Sequence, residues 1–191
     1  MKQNHSNHIN LIKSKTSLLV GIVVAAAAFI AFSAKAQETV TNATAVVTNQ
    51  ITLKFVRVDS EETAGENGAG TNAVDGNPNT FWHTQWQDAS PECPHEIIVE
   101  LVPPSSIKGF TCLPRQDDNE NGNIKDYEFY VSDDGKDFGQ PVKKGMFEAG
   151  SDKKTVTFNP VKCRFIKLKA LSEINDAVWT SVAEIAVIPA N

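Results

Sequence analysis

Residues Asn72–Trp86, NAVDGNPNTFWHTQW, carry the densest chemistry in the chain. Asp75, Asn77 and Thr80 stand at i, i+2 and i+5 around Gly76 and Pro78. A backbone folded tightly there brings side-chain and main-chain oxygens together, which suits a hard cation such as calcium. An ordinary turn, in which such side chains satisfy their own backbone, fits the same spacing. The spacing alone leaves both open. Trp82, His83 and Trp86 follow at once. Flat rings beside a hydrogen-bonding imidazole suit a small polar ligand with one apolar face, such as a sugar.

A second oxygen-rich run puts Asp117, Asn119, Asn121, Gly122 and Glu128 in the calcium-loop pattern D-x-[DN]-x-[DN]-G-x5-E. That loop needs a helix on each side. Here an apolar strand ending at Pro114 precedes it, and Glu128 alternates with Tyr127 and Phe129 in a strand, so a polar loop is the plainer reading. The acidic pairs Asp117/Asp118 and Asp133/Asp134 are adjacent in sequence, and neighbours do not set two carboxylates across a scissile bond. No Gly-x-Ser-x-Gly, HExxH or phosphate-cradling glycine loop occurs. His83 has no evident nucleophile beside it. The chain therefore reads as a binder and not an enzyme. Arg115, at a strand end, is either a surface salt bridge or a guanidinium fork for hydroxyl oxygens. Trp82 belongs to the core, while Trp86 and Trp179 lie in loop-like sequence and could serve core or ligand face. Cys93, Cys112 and Cys163, with His83 and His95, make no zinc spacing. Cys112 and Cys163 read as buried thiols, with a bridge between them as the alternative.

The elements that must position these residues are short strands. Leu53–Val58, Glu96–Leu101, Ile107–Leu113, Asp126–Ser132, Lys154–Phe158, Arg164–Leu168 and Trp179–Ile188 are strand-like, broken by Gly, Pro, Asn and Asp. Pro103-Pro104 and Pro114 read as stops, and Asp133-Asp134-Gly135 as a hairpin turn. No segment keeps a helical period over three turns. An all-β sandwich follows.

Residues 1–36 read as a secretory signal peptide: Lys13 and Lys15, the apolar run Leu18–Ala31, then Ala34-Lys35-Ala36 as cleavage site. An uncleaved membrane anchor is the alternative. Residues 37–50 read as a linker or loose tail, and 51–191 as one domain, so the protein is expected to be secreted, periplasmic or on the cell surface. The leader holds Lys2, Lys13, Lys15 and Lys35 and no acid, so its removal takes the formal charge from −5 to −9. Such a domain does not attract nucleic acid or anionic lipid.

Four stretches in order, AVDGNPNTFWHTQW (73–86), GFTCLPRQ (109–116), IKDYEFYVSDDG (124–135) and SVAEIAV (181–187), make the chain resemble the discoidin, or coagulation factor 5/8 type C, domains. Within them it most resembles the family 32 carbohydrate-binding modules. The resemblance implies an eight-stranded jelly-roll β-sandwich, galactose-binding-domain-like. It implies one structural calcium held by the Asn72 carbonyl, Asp75, Asn77, Thr80, the Ala183 carbonyl and Glu184. It implies a site for a terminal galactose-type sugar formed by His83, Trp86, Arg115, Asn121 (or Asn123) and Trp179. The alternative is a protein–protein or cell-surface adhesion module of the same fold. A place within a larger surface complex is a further expectation.

Overall fold

The computed structural model describes residues 50–190. The signal peptide and, but for Gln50, the linker expected from the sequence lie outside the described residues. Eight strands make up the domain: β1 Thr52–Val58, β2 Trp82–His83, β3 His95–Leu113, β4 Asp126–Ser132, β5 Lys143–Met146, β6 Lys154–Ala170, β7 Ser181–Val182 and β8 Glu184–Pro189.

Two long strands build both layers. The first half of β3 lies between β1 and the second half of β6, which continues to β4 and β5. The second half of β3 lies between β8 and the first half of β6. Phe110 of that second half stacks on Phe129 of β4, with ring centroids 4.1 Å apart. β3 and β4 share no ladder, so the two halves face each other across the core. This is the eight-stranded jelly-roll sandwich. Ile97, Val99, Leu101, Ile107, Phe110, Phe129, Ile166 and Leu168 fill it, each at most 2% exposed. Burying a side chain of this kind contributes about 1.5–3 kcal/mol.

The structure corrects several strand boundaries. Pro103-Pro104 does not end a strand. It sits at a register shift between Glu100 and Ser105, where the ladder requires no N–H from either proline. Phe158–Pro160 likewise fall in a shift between the Ile107↔Val161 and Gly109↔Thr157 pairs, so β6 is continuous. Trp179–Ile188 is not one strand: Trp179 and Thr180 are loop, and Ala183 interrupts β7 and β8. Asp133-Asp134-Gly135 is not a tight hairpin. The Asp134 carboxylate accepts the N–H groups of Lys136 and Asp137, and the chain runs on to β5, a strand the sequence pattern did not show. A 3₁₀ turn at Gly70–Val74 was also not anticipated. Cys93, Cys112 and Cys163 are all free, and burial pushes the Cys112 thiol to about 12 and the Cys163 thiol to about 11.

Candidate functional site

The short ladder between β2 and β7 sets Trp82 opposite Val182 and His83 opposite Ser181. Trp82 is core, 1% exposed, and its indole N–H donates to the Ser60 carbonyl at 2.8 Å. His83 is buried as well, and its Nδ1 lies 2.6 Å from the Thr84 carbonyl. A carbonyl only accepts, so Nδ1 carries the proton. Burial pushes the imidazole below its ordinary pKa, so the ring is neutral at pH 7 and Nε2 keeps its lone pair.

Arg115 lies two residues past the end of β3, after Pro114, and is 6% exposed. Its Nε and Nη2 donate to Asp117 at 2.7 and 2.6 Å, and Nη1 donates to the Asn121 carbonyl at 3.3 Å. The guanidinium lies 4.2 Å from the centre of the Phe81 ring. Three of its five N–H groups are thus engaged and two are left. The guanidinium fork also holds Asp117 well below the usual carboxylate range. These contacts dissolve the alternative calcium loop at Asp117–Glu128. Asp117 is spent on Arg115, while Glu128 lies within β4 and is paired with Tyr130 and Lys144.

His83, Trp86, Arg115, Asn121 and Trp179 all line one cleft of about 260 Å³, together with Glu66 and Asn119. Asn123 does not line it and is buried beneath, 4% exposed. The rings of His83 and Trp179 are 6.4 Å apart. Trp86 is 39% exposed and donates its indole N–H to Glu66 Oε1 at 2.9 Å. Glu66 Oε1 is 4.0 Å from His83 Nδ1, but that nitrogen already serves Thr84.

Two buried carboxylates that the sequence reading passed over hold the cleft loops. Glu62 accepts the N–H groups of Ala64, Gly65, Trp86 and Gln87, and these bonds, led by Gly65, hold its carboxyl at about 2. It therefore joins the Glu66 loop to the Trp86 loop. Glu173 accepts from Gly122, Asn175 and Ala177, joining the Asn119–Asn121 loop to the segment before Trp179. Gly122 itself has φ +86, and a Cβ there would lie 2.6 Å from the Ser181 nitrogen. Nothing in the local sequence marks either acid, because each pairs its nearby turn N–H groups with main-chain N–H groups of a distant loop, Trp86 and Gln87 for Glu62 and Gly122 for Glu173.

The cation candidates sit beside this cleft. Asp75 accepts the Asn77 N–H at 2.8 Å and the Thr80 hydroxyl at 2.8 Å. The buried Asn72 side chain donates to the carbonyls of Asn67 and Phe81, which ties the turn's two ends. Glu184, next to the Ala183 break, faces Asp75. Its Oε1 is buried with no hydrogen-bond partner. Burial first, and then Asp75, push the Glu184 carboxyl up to about 7. Two facing carboxylates, one with an orphaned oxygen, fit a hard cation completed by Asn, Thr and main-chain oxygens. Among the described residues no three His, Cys, Asp or Glu side chains converge as a zinc site would require.

Comparison with known proteins places the chain in context. The model of the F5/8 type C domain family matches residues 56–185. Galactose oxidase of Gibberella zeae is 40% identical over 120 residues, 62% of this chain and 18% of that enzyme. Sialidase of Micromonospora viridifaciens is 39% identical over 140 residues, 73% of this chain and 22% of that enzyme. The chain thus spans about a fifth of these curated relatives. Among solved structures, CpGH89CBM32-5 of Clostridium perfringens, in complex with GalNAc-β-1,3-galactose, is 36% identical with TM-score 0.65, covering 71% of this chain and 94% of its own. The family 32 carbohydrate-binding module of NanJ from the same organism, in complex with galactose, is 30% identical with TM-score 0.60, covering 72% and 92%.

Proposed function

Because the chain belongs to the F5/8 type C domain family, we propose that it is a carbohydrate-binding module whose cleft takes a terminal galactose-type sugar. The convergence of His83, Trp86, Arg115 and Trp179 on one cleft carries this reading. A sugar hydroxyl both donates and accepts. His83 Nε2 offers a lone pair, and Arg115 offers two unused N–H groups. Asn119 and Asn121 and the second oxygen of Glu66 add polar capacity, and the two indoles supply faces for the apolar side of a pyranose. A volume of about 260 Å³ suits one sugar ring more than a long chain. The two related modules solved with galactose-containing ligands support the choice of sugar.

The reading is of a binder without catalysis. The buried acids bordering the cleft are engaged by main-chain N–H groups, and Asp117 by Arg115. Calcium has a structural role in this proposal, fixing the 72–80 turn to Glu184 and so the start of β2. Its ligands are the Asn72 carbonyl, Asp75, Asn77, Thr80, the Ala183 carbonyl and Glu184. In this proposal residues 1–36 act as a signal peptide that exports the module, to work on a glycan or within a larger surface complex.

A glycan array probed with the full chain is the test. Signals on galactose- and GalNAc-terminated glycans, suppressed by free galactose and absent from glucose-terminated ones, are expected. An empty array together with a stoichiometric protein partner would establish the adhesion module instead. Turnover of aryl-glycosides lost in His83→Ala would establish a hydrolase.

A further inference from the structure

His95 opens β3 and is 0% exposed, yet it lies outside the cleft. Its Nδ1 is 2.7 Å from Asp59 Oδ2. Its Nε2 is 3.0 Å from the Val178 carbonyl and 3.2 Å from the Pro91 carbonyl. Every neighbour of both nitrogens is an acceptor. Two N–H donors are needed, so the ring is a cation. Pro91 and Val178 each adjoin a residue of one further contact: the Trp179 indole N–H reaches the Ser90 hydroxyl at 3.5 Å. One buried ring thus joins the two loop segments between which Trp179 sits.

We propose that His95 is a buried imidazolium that positions Trp179 in the wall of the cleft, so that ligand affinity depends on its charge. The functional part of this rests on the sugar-binding reading above.

Burial disfavours the His95 charge, but the hydrogen bond and charge of Asp59 and the two carbonyls outweigh it and hold the ring above its ordinary pKa. Asp59 is held low in turn: burial raises it, and His95 and the Glu96 N–H overcome that. Of the other ionisable groups on the surrounding elements, Asp88 and Glu92 are exposed on the Pro91 segment, and Asp176, ahead of Val178, pairs with Lys125. Glu96 pairs with Arg57 and Lys167, Lys169 stands opposite Glu96 on β6, and Glu173 serves main-chain N–H groups. The Cys93 thiol, pushed up by burial, donates to the same Val178 carbonyl at 3.4 Å.

The charged acceptor makes the stronger bond, so Nδ1–H stays on Asp59 and the proton lost at high pH is that on Nε2. A lone pair then faces two carbonyls, and the Val178 segment lets go. The folded pKa is raised, so this contribution is complete below the ordinary histidine value of about 6.5 and disappears as pH rises through the folded value. Displacement of one aromatic wall costs roughly three- to tenfold in affinity.

The test uses the full chain labelled with ¹⁵N and follows the His95 ring nitrogens and the Trp179 indole N–H against pH, without sugar. Both ring nitrogens are expected at imidazolium shifts on the acid side of a midpoint above the ordinary histidine value of about 6.5. The Trp179 signal should move with the His95 midpoint, above 6.5, and Asp59→Asn should shift both midpoints down together. A His95 midpoint at or below the ordinary value of about 6.5, or a Trp179 signal indifferent to the His95 titration, overturns the proposal. Methyl galactoside affinity should then fall three- to tenfold with the same midpoint. An affinity that holds constant while Trp179 moves overturns the functional part. Absence of galactoside binding at every pH, with Trp179 still following His95, sinks the sugar reading and leaves the positioning intact.

Discussion

Arg115→Ala should remove measurable binding of a galactoside while leaving the fold in place. The two N–H groups that Arg115 keeps free are charge-assisted donors in a buried position, and bonds of that kind contribute about 1.5–3 kcal/mol. The loss corresponds to roughly 10- to 150-fold in affinity, enough to erase the signal of a shallow site that exchanges water for protein partners at small net gain. The cost to the fold is smaller. Asp117, the partner left behind, has a side chain 46% exposed and rehydrates. Arg115→Lys should not rescue binding. An ammonium cannot span the two Asp117 oxygens, reach the Asn121 carbonyl, lie over Phe81 and still face the ligand. His83→Ala should have a comparable effect, because it deletes the acceptor that complements Arg115. Isothermal titration with galactose and thermal melting, run on the same samples, check this. Retained affinity in Arg115→Ala would remove Arg115 from the site.

The second large effect concerns the Asp75–Glu184 pair. Calcium bound at one hundred times its dissociation constant stabilises a protein by about 2.7 kcal/mol. For a domain of this size that corresponds to roughly 5–15 °C in melting temperature. Chelator should lower the melting temperature of the wild type by about that amount. Asp75→Asn and Glu184→Gln should melt near chelated wild type and ignore added calcium. Glu184→Gln should also be no less stable than chelated wild type, because it replaces a desolvated carboxylate with an orphaned Oε1 facing a second carboxylate. Differential scanning calorimetry with and without chelator decides it. A wild type whose melting ignores calcium would defeat the metal assignment.

Much of the fold was legible because a half-buried strand writes its period into the sequence. Tyr127 and Phe129 alternate outward neighbours with inward rings, and both are buried. The long strands were not legible. Pro103-Pro104 and Pro160 look like breaks, but they fall at register shifts where the ladder has no use for their missing N–H. His83 and Trp86 read from local chemistry as a face for a sugar, and the family resemblance joined Arg115, Asn121 and Trp179 to them. Arg115 alone read as a salt bridge or a fork, and the structure shows why the choice was open: it makes the salt bridge to Asp117 and still holds two donors in reserve. Glu62, Glu173 and His95 left no trace because the partners that give each its role include main-chain atoms far along the chain. Glu62 reaches Trp86 across 24 residues, and His95 reaches Val178 across 83. Glu66 was equally hidden, since only the folded loop returns it to Trp86.

Titration of the ¹⁵N-labelled full chain with methyl galactoside, followed by two-dimensional NMR, probes sugar binding at the cleft without any substitution. Saturable shifts should appear at the Trp86 and Trp179 indoles and the Arg115 side chain, with methyl glucoside producing none of them. No shifts at millimolar galactoside, or shifts gathered on another face of the sandwich, would contradict sugar binding at this cleft.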